Sequence, residues 1–195
     1  MALFGFGKKD KDGGDSTQQS APPASGGKCP LPDMQPSDLP TSNYDECIMH
    51  YFDGTSRKVM TTDIETPFPE GRLIVSRTDP TGIITHVNKA FVIMSGYSEE
   101  ELVGKPHYIL RHPDMPRVAF KGAWDTLATE PTWHGYVKNL RKDGGFYWVY
   151  ATIIANVREG NVVGLSSVRR KPARSKVEEC TALYASLLEE ENKGG

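Results

Sequence analysis

Three strand-like segments follow one another closely in the second half of the chain, and their spacing is the feature that most constrains the fold. They lie at 135–140, 146–157 and 162–169. The turns between them are Asp143-Gly144-Gly145 and Glu159-Gly160-Asn161, short enough to join antiparallel strands. Two further strand patterns, at 73–77 and 83–87, precede a helical stretch. The sequence therefore predicts an α+β domain with one five-stranded antiparallel sheet and short helices on one face.

The helical stretch in the middle of the chain supplies those short helices. One is predicted from Asn88 to Met94, and Ser98 with Glu101 three residues later is a capping box that opens a second. The longest central helix is predicted over 115–128, behind Asp114, a residue able to cap it. A pocket can form between these helices and the sheet.

The ends of the chain have a different composition from its centre. Six of the 19 Gly and six of the 14 Pro fall in the first 43 residues, which predicts disorder there. An apolar cluster at 44–52 is consistent with a short helix that packs on the domain. An amphipathic helix over 175–190 has an apolar stripe that must bury against something. The predicted division is 1–43 disordered, 44–71 flanking or cap segment, 72–172 main domain and 173–195 output helix and tail.

Charge, hydropathy and cysteine usage exclude several classes of protein. Lys plus Arg total 23 against 25 Asp plus Glu, so binding to nucleic acid through bulk charge is not expected. No run approaches the roughly 18 apolar residues that a bilayer-spanning helix needs, and the N-terminus lacks a signal-peptide core. Three cysteines without CxxC spacing predict neither a disulfide framework nor a zinc site. These features together favour a reduced cytoplasmic protein.

No motif for catalysis is present in the sequence. It contains no phosphate-binding loop, no dinucleotide fingerprint, no HExxH and no nucleophile elbow. The expectation is therefore that the protein is not an enzyme.

The densest cluster of unusual residues is Arg111-His112-Pro113-Asp114-Met115-Pro116. Two prolines stiffen this segment at the entry to the long central helix. One interpretation is a rigid helix entry with a solvated arginine. The other is a ligand clamp, in which Arg111 and His112 bind an anion or a carbonyl edge.

Aromatic residues in the same region allow two interpretations as well. Phe120 and Trp124 are four residues apart and share a helix face, and Trp133 opens the next strand. They are either core or the walls around a flat ligand. Asn88, directly after a strand, is either a helix cap or an amide directed into the cavity.

Residues 73–172 resemble a PAS domain, and specifically the flavin-binding PAS domain of the bacterial aerotaxis receptor family. The motifs that carry the resemblance are 83–91 (IITHVNKAF), 94–97 (MSGY), 101–107 (ELVGKPH), 111–116 (RHPDMP), Phe120, Trp124, Trp133, 137–139 (VKN), 141–144 (RKDG) and 146–149 (FYWV).

The resemblance implies a PAS fold that binds FAD non-covalently and reports its redox state to the chemotaxis kinase. The residues it assigns to the cofactor are Asn88 at the isoalloxazine edge, Phe120 and Trp124 as walls, Arg111, His112 and Asp114 at the mouth, and Trp133 and Asn139 in the cavity.

The expected function is that of a PAS-only sensor of redox or oxygen status. Because the chain ends at Gly195, shortly after one helix, its output is expected to act on a separate chemotaxis transducer or histidine kinase complex. The C-terminal helix is the expected output surface, through homodimerisation. Contact with a membrane is expected only through the partner, and nucleic acid is not an expected partner.

Two departures and two alternatives accompany this expectation. Tyr150 and Thr152 stand where the family pattern has Arg and Asn, and no cysteine lies near His107 to form a thiol adduct with flavin. One alternative is a cofactor-free PAS adaptor whose aromatics fill the core. The other is a haem-binding gas sensor with an axial ligand among His107, His112 and His134.

Overall fold

The structure of the protein is a computed structural model and describes residues 30–193. Its strands are β1 (Asp45–His50), β2 (Ser56–Thr61), β3 (Ile74–Thr78), β4 (Ile84–Val87), β5 (Thr132–Leu140), β6 (Phe146–Arg158) and β7 (Asn161–Arg170). Its α-helices are α1 (Lys89–Ser95), α2 (Glu99–Leu102), α3 (Arg117–Leu127) and α4 (Arg174–Lys193), and 3-10 helices cover Pro36–Asp38 and His107–Leu110.

The main sheet has five antiparallel strands in the order β4-β3-β7-β6-β5, which confirms the predicted architecture. The turn between β6 and β7 is the tight hairpin that the sequence predicts. Its two residues, Glu159 and Gly160, have φ angles of 53° and 79°, in the left-handed region. A two-residue turn needs this conformation so that its twist matches the twist of the two strands it joins. Pairing across β5, β6, β7 and β3 fixes which side chains share a face.

The two faces of this sheet are covered by different elements. On one face, α1, α2 and the helix at 107–110 enclose the larger apolar core, which includes Phe91, Leu102 and Val149. On the other, α4 packs its apolar stripe against Trp148 and neighbouring side chains of β5 and β6. The stripe of α4 is therefore buried within its own chain. No helix in the 30–193 range has the length and apolar character needed to cross a membrane.

The segment before the main domain corrects two expectations. Residues 45–50 were expected to be helical but form β1, which pairs with β2 in a separate two-stranded sheet. The apolar cluster misled because only Met49 of β1 is buried, whereas Cys47 and Ile48 are exposed. Disorder over residues 30–43 is also wrong, since Leu31 is buried against the core and a 3-10 helix follows it. Residues 1–29 of the predicted disordered segment lie outside the described residues.

The start of α3 corrects a third expectation. Asp114 was expected to cap this helix, but α3 begins at Arg117, and Pro116 in the capping position makes no side-chain hydrogen bond. The carboxylate of Asp114 instead accepts a hydrogen bond from Lys138 Nζ at 2.6 Å.

Candidate functional site

The face of the sheet that the short helices cover contains a set of buried polar side chains among its apolar ones. Strand pairing aligns Ser76 with Ser167, and it aligns Arg169 with Ala151 and Gly135, so these residues share one face. Asn139 of β5 and Tyr147, which lies opposite it on β6, are on the same face of the sheet. A buried polar set on an otherwise apolar face is the arrangement of a ligand cavity with a few orienting groups.

Arg169 is the centre of this set. Its side chain is 3% exposed, and its guanidinium donates two hydrogen bonds of 3.1 Å to Ser76 Oγ. It lies 2.7 Å from His107 Nε2 and 5.1 Å from the centre of the Phe91 ring. These partners are all uncharged, and burial lowers the pKa of Arg169 to about 10. A buried cation is normally paired with an anion or coordinated by a ligand. Arg169 is therefore a candidate for binding an acceptor group of a ligand.

His107 accepts the short hydrogen bond from Arg169. A guanidinium has donors only, so Nε2 of His107 must be unprotonated and the ring neutral. Burial and the neighbouring Arg169 charge lower the pKa of His107 to about 3, which agrees with that assignment. The short helix 107–110 is thereby joined to β7.

Three buried polar atoms in the same set find no hydrogen-bond partner within residues 30–193. They are Asn139 Nδ2, the Tyr147 hydroxyl and Ser167 Oγ. Burial raises the pKa of Tyr147 to about 12, so its hydroxyl stays protonated and able to donate. An unpartnered buried donor costs about 1–3 kcal/mol, and three on one face indicate a missing polar partner rather than chance.

The predicted clamp, residues 111–116, lies along the β5 edge of this face. Arg111 forms a bridge to the backbone of Asn139, and its guanidinium lies 5.2 Å from the Phe120 ring centre and donates to the Met115 carbonyl. His112 is buried; its Nδ1 accepts from the Asp114 amide at 3.1 Å. Burial and the charge of Lys138 lower the pKa of His112, and Asp114 opposes them.

The aromatic residues of the predicted site separate into two groups. Trp133 is buried on the helix-covered face, with its indole across Gly135, where an added Cβ would overlap the ring. Phe120 packs instead with the cluster beneath α4, and Trp124 is half-buried on α3. The structure thus brings Trp133 and Asn139 into the interior and leaves Phe120 on the side facing α4.

Asn88 serves as the cap of α1. Its Oδ1 accepts from the amides of Phe91 at 3.0 Å and Val75 at 3.1 Å, and its Nδ2 donates to the Leu73 carbonyl at 2.9 Å. Between the two interpretations of this residue, the observed contacts are those of the cap. Hydrogen bonding of Asn88 to a cofactor stays a prediction.

Sequence reasoning missed the central residue of the polar set. In the segment 165–170, Val168 is flanked by Ser167 and Arg169, so alternation of apolar and polar residues favours Val168 as the inward residue. The opposite holds, because the inward positions are the polar ones. The pairing of β7 with β3 reveals the inward positions, because it places Ser167 opposite Ser76. The sequence of β7 alone does not contain this pairing.

Comparison with known proteins identifies the class. Residues 84–169 match the PAS fold family, and this part of the chain belongs to the five-stranded antiparallel sheet and helices of that fold. The chain is 42% identical to the aerotaxis receptor of Escherichia coli (strain K12) over 126 residues, which are 65% of this chain and 25% of the receptor. It is 32% identical to the nitrogen fixation regulatory protein of Klebsiella pneumoniae over 84 residues, 43% of this chain and 17% of that protein.

A solved structure agrees at the level of the fold. An RNA-binding light-oxygen-voltage receptor superposes with a TM-score of 0.50 at 18% identity, covering 60% of this chain and 35% of the other. The chain spans about a quarter of the length of the aerotaxis receptor and less than a fifth of the nitrogen fixation regulatory protein. The activities of those longer proteins are therefore used only as proposals for this chain.

The chemistry of the polar set fits a flavin. An isoalloxazine ring has an apolar end and an opposite edge of carbonyl oxygens and ring nitrogens. Donors for that edge are present in Arg169, Asn139 Nδ2 and the Tyr147 hydroxyl, and Phe91 and Trp133 are flat side chains of the same interior. Phe91 and Trp133 are themselves buried in the core, with 0% and 6% of their surfaces exposed.

Proposed function

We propose that this chain is a PAS sensor that binds FAD non-covalently and signals redox or oxygen status to a separate chemotaxis transducer or kinase complex. The observation that carries the proposal is the buried Arg169, which has only neutral partners and lies among unpartnered donors. Similarity to the aerotaxis receptor over 65% of this chain supports the same reading.

When bound, a flavin supplies reversible reduction, which changes charge and protonation along its polar edge. Arg169 is placed to donate to that edge, because its present acceptors, Ser76 and His107, are neutral and an anionic nitrogen would bind the guanidinium more strongly. Asn139 would hold the edge with its unpartnered Nδ2, and Tyr147 with its protonated hydroxyl. Trp133 would exclude water from the ring.

The route for a signal begins with the hydrogen bonds of Arg169. They join β7 to β3 through Ser76 and to the short helix through His107. If the guanidinium turns toward a more negative acceptor, those bonds weaken together, and the short helix 107–110 is held less firmly to β7. A ligand with different affinity for two such arrangements shifts their populations.

The burial of Phe91 and Trp133 in the core favours one alternative, a cofactor-free PAS adaptor. The absorption spectrum of the purified full chain separates the possibilities. Flavin bands, with FAD released on denaturation, support the proposal. An ordinary protein spectrum that does not change when FAD is added favours the adaptor, and a Soret band indicates the haem-binding sensor. Parallel titrations with FAD, FMN and riboflavin establish which flavin is bound.

A further inference from the structure

The first turn of α3 receives its cap from the other end of the protein. Pro116 offers no side chain to the exposed amides of the helix start. The carboxylate of Glu191 takes that role, with Oε2 accepting from the Arg117 amide at 3.1 Å and Oε1 from the Val118 amide at 2.9 Å. Glu191 lies in the last turn of α4, so 74 residues separate cap and helix start. A carboxylate at a helix N-terminus is stabilised by the orphan amides and the helix dipole.

The segment capped in this way is continuous with the candidate cofactor site. Arg111 donates to the carbonyl of Met115, two residues before α3. Met115 is buried in the cluster beneath α4, together with Tyr184. The loop 111–116 thus contacts the candidate site at one end and α4 at the other.

Charges around Glu191 favour the same connection. Arg117 lies at the helix start, and the carboxylate is close enough to Arg111 to favour its protonated form. Burial lowers the pKa of Arg111 more than Glu191 raises it. The Arg111 guanidinium and the Glu191 carboxylate therefore attract each other across the start of α3.

We propose that Glu191 is a positioning residue that couples the loop 111–116 to α4, so that a change at the loop loosens or tightens the end of α4. The inference rests on the proposed function for the ligand that changes the loop, but the contact itself belongs to the chain alone. The start of α3 connects the two, because it directly follows the loop 111–116 and is capped by Glu191 of α4.

The first test needs no ligand. Amide hydrogen exchange is measured on the full chain for Glu191→Ala and Glu191→Gln, with Glu190→Ala as the matched control from the exposed side of the same turn. Loss of the cap is expected to speed exchange of the Arg117 and Val118 amides about fivefold in Glu191→Ala, and less in Glu191→Gln, which keeps one acceptor oxygen. Exchange over residues 187–193 is expected to rise with them. Unchanged exchange at both places overturns the proposal.

The second test is a double-mutant cycle. Arg111→Ala perturbs the loop, and Asp114→Asn is a milder perturbation should the first variant fold poorly. Either is expected to change exchange at 187–193 in the wild-type background and with Glu190→Ala, but not with Glu191→Ala. Additive effects in the cycle would mean that loop and helix are independent, and the proposal would fail.

A third arm adds FAD. If FAD binds, it is expected to alter exchange of α4 in the wild type and in Glu190→Ala, with the change lost in Glu191→Ala and partly restored in Glu191→Gln. A change that persists in Glu191→Ala contradicts the coupling. If FAD does not bind at all, the proposed function fails, whereas the ligand-free cycle still decides the role of Glu191.

Discussion

At the scale of single residues, Arg169 contributes to both stability and ligand binding. Replacing it with Met removes a buried charge, but it leaves the buried acceptors Ser76 Oγ and His107 Nε2 without their donor. We expect the free energy of unfolding of the flavin-free Arg169→Met protein to fall by about 1–3 kcal/mol. Its affinity for flavin should fall at least about tenfold, the equivalent of one charged hydrogen bond.

Urea unfolding and flavin titration of the same preparations measure the two effects. Arg170→Met is the matched control, because Arg170 is the next residue, is exposed, and lies 4.6 Å from the Tyr150 ring centre on the opposite face. Equal flavin affinity in the two variants would remove Arg169 from the site. Asn88→Ala is a poorer test, since it also removes the cap of α1 at a cost of about 1 kcal/mol.

The neutral His107 makes the fold sensitive to acid. Its pKa is about 3 in the folded protein, against an ordinary value of 6.5. Between these values the unfolded chain binds more protons, so the free energy of unfolding falls as pH drops from about 6.5 toward 3. His107→Gln, whose amide oxygen can still accept from Arg169, should remove a loss of about 1–2 kcal/mol between about pH 6.5 and 5.

Urea unfolding at about pH 7.5 and pH 5 tests this prediction. The stability of His107→Gln relative to the wild type should rise at the lower pH. The exposed His50→Gln serves as the control, with the same substitution outside the buried set. A pH-independent difference between His107→Gln and the wild type would contradict the neutral, buried assignment.

A residue of the candidate site can be predicted from the sequence when it belongs to a recognisable motif, and cannot when its orientation depends on strand pairing. Asn139 and Trp133 belong to motifs of the resemblance and are buried, and their contact with a cofactor stays a prediction. Arg169 lies in a strand whose alternation points the wrong way, and only pairing with Ser76 reveals it. Local pattern identifies a residue when its role is local, whereas a polar residue turned inward needs the register of the whole sheet.

At the scale of elements, the hairpin β1–β2 depends on Arg57 for its attachment. This side chain is 4% exposed and donates to the Pro32 carbonyl at 2.7 Å, the Ile109 carbonyl at 3.2 Å and the Tyr97 hydroxyl at 3.1 Å. Arg57→Ala leaves the buried Ile109 carbonyl and Tyr97 hydroxyl without their donor, and we expect a loss of about 3 kcal/mol in the free energy of unfolding.

Lys58→Ala is the matched control for the hairpin. Its ammonium lies 3.6 Å from Glu46 at the surface, a pair worth less than about 1 kcal/mol. Urea unfolding compares the two variants, and hydrogen exchange over 45–61 shows whether the hairpin opens first. Similar losses in both variants would mean that Arg57 does not hold the hairpin to the domain.

The strands of the main sheet were predictable because each is bounded by turn residues, and β6 and β7 even share a two-residue turn. The hairpin was not, because β1 buries only Met49 and exposes Ile48, so neither a helical nor an alternating pattern is satisfied. Its pairing with β2 and its contacts to 107–110 are long-range, and a single segment does not contain that information.

At the scale of the whole molecule, the main sheet lies between two apolar clusters and contributes side chains to both. The core under the short helices and the cluster under α4 lie on opposite faces, and Val137 of β5 packs against both. Tyr184 of α4 is 2% exposed, and its hydroxyl donates to the Tyr136 carbonyl at 2.6 Å. A helix that packs on the sheet and is hydrogen-bonded to its edge strand β5 should not unfold separately from the sheet.

We therefore expect one cooperative transition in urea for the full chain. Far-UV circular dichroism follows α4, the longest helix, and tryptophan fluorescence follows Trp133 in the core and Trp148 beneath α4; their midpoints should coincide. Tyr184→Phe, which loses the bond to Tyr136, should lower both midpoints together, at a cost of about 1–2 kcal/mol. Tyr150→Phe, on the same face but partly exposed, should change them little. If the dichroism transition comes before the fluorescence transition, α4 is a separately unfolding element, and its coupling to the sheet is weaker than its contacts indicate.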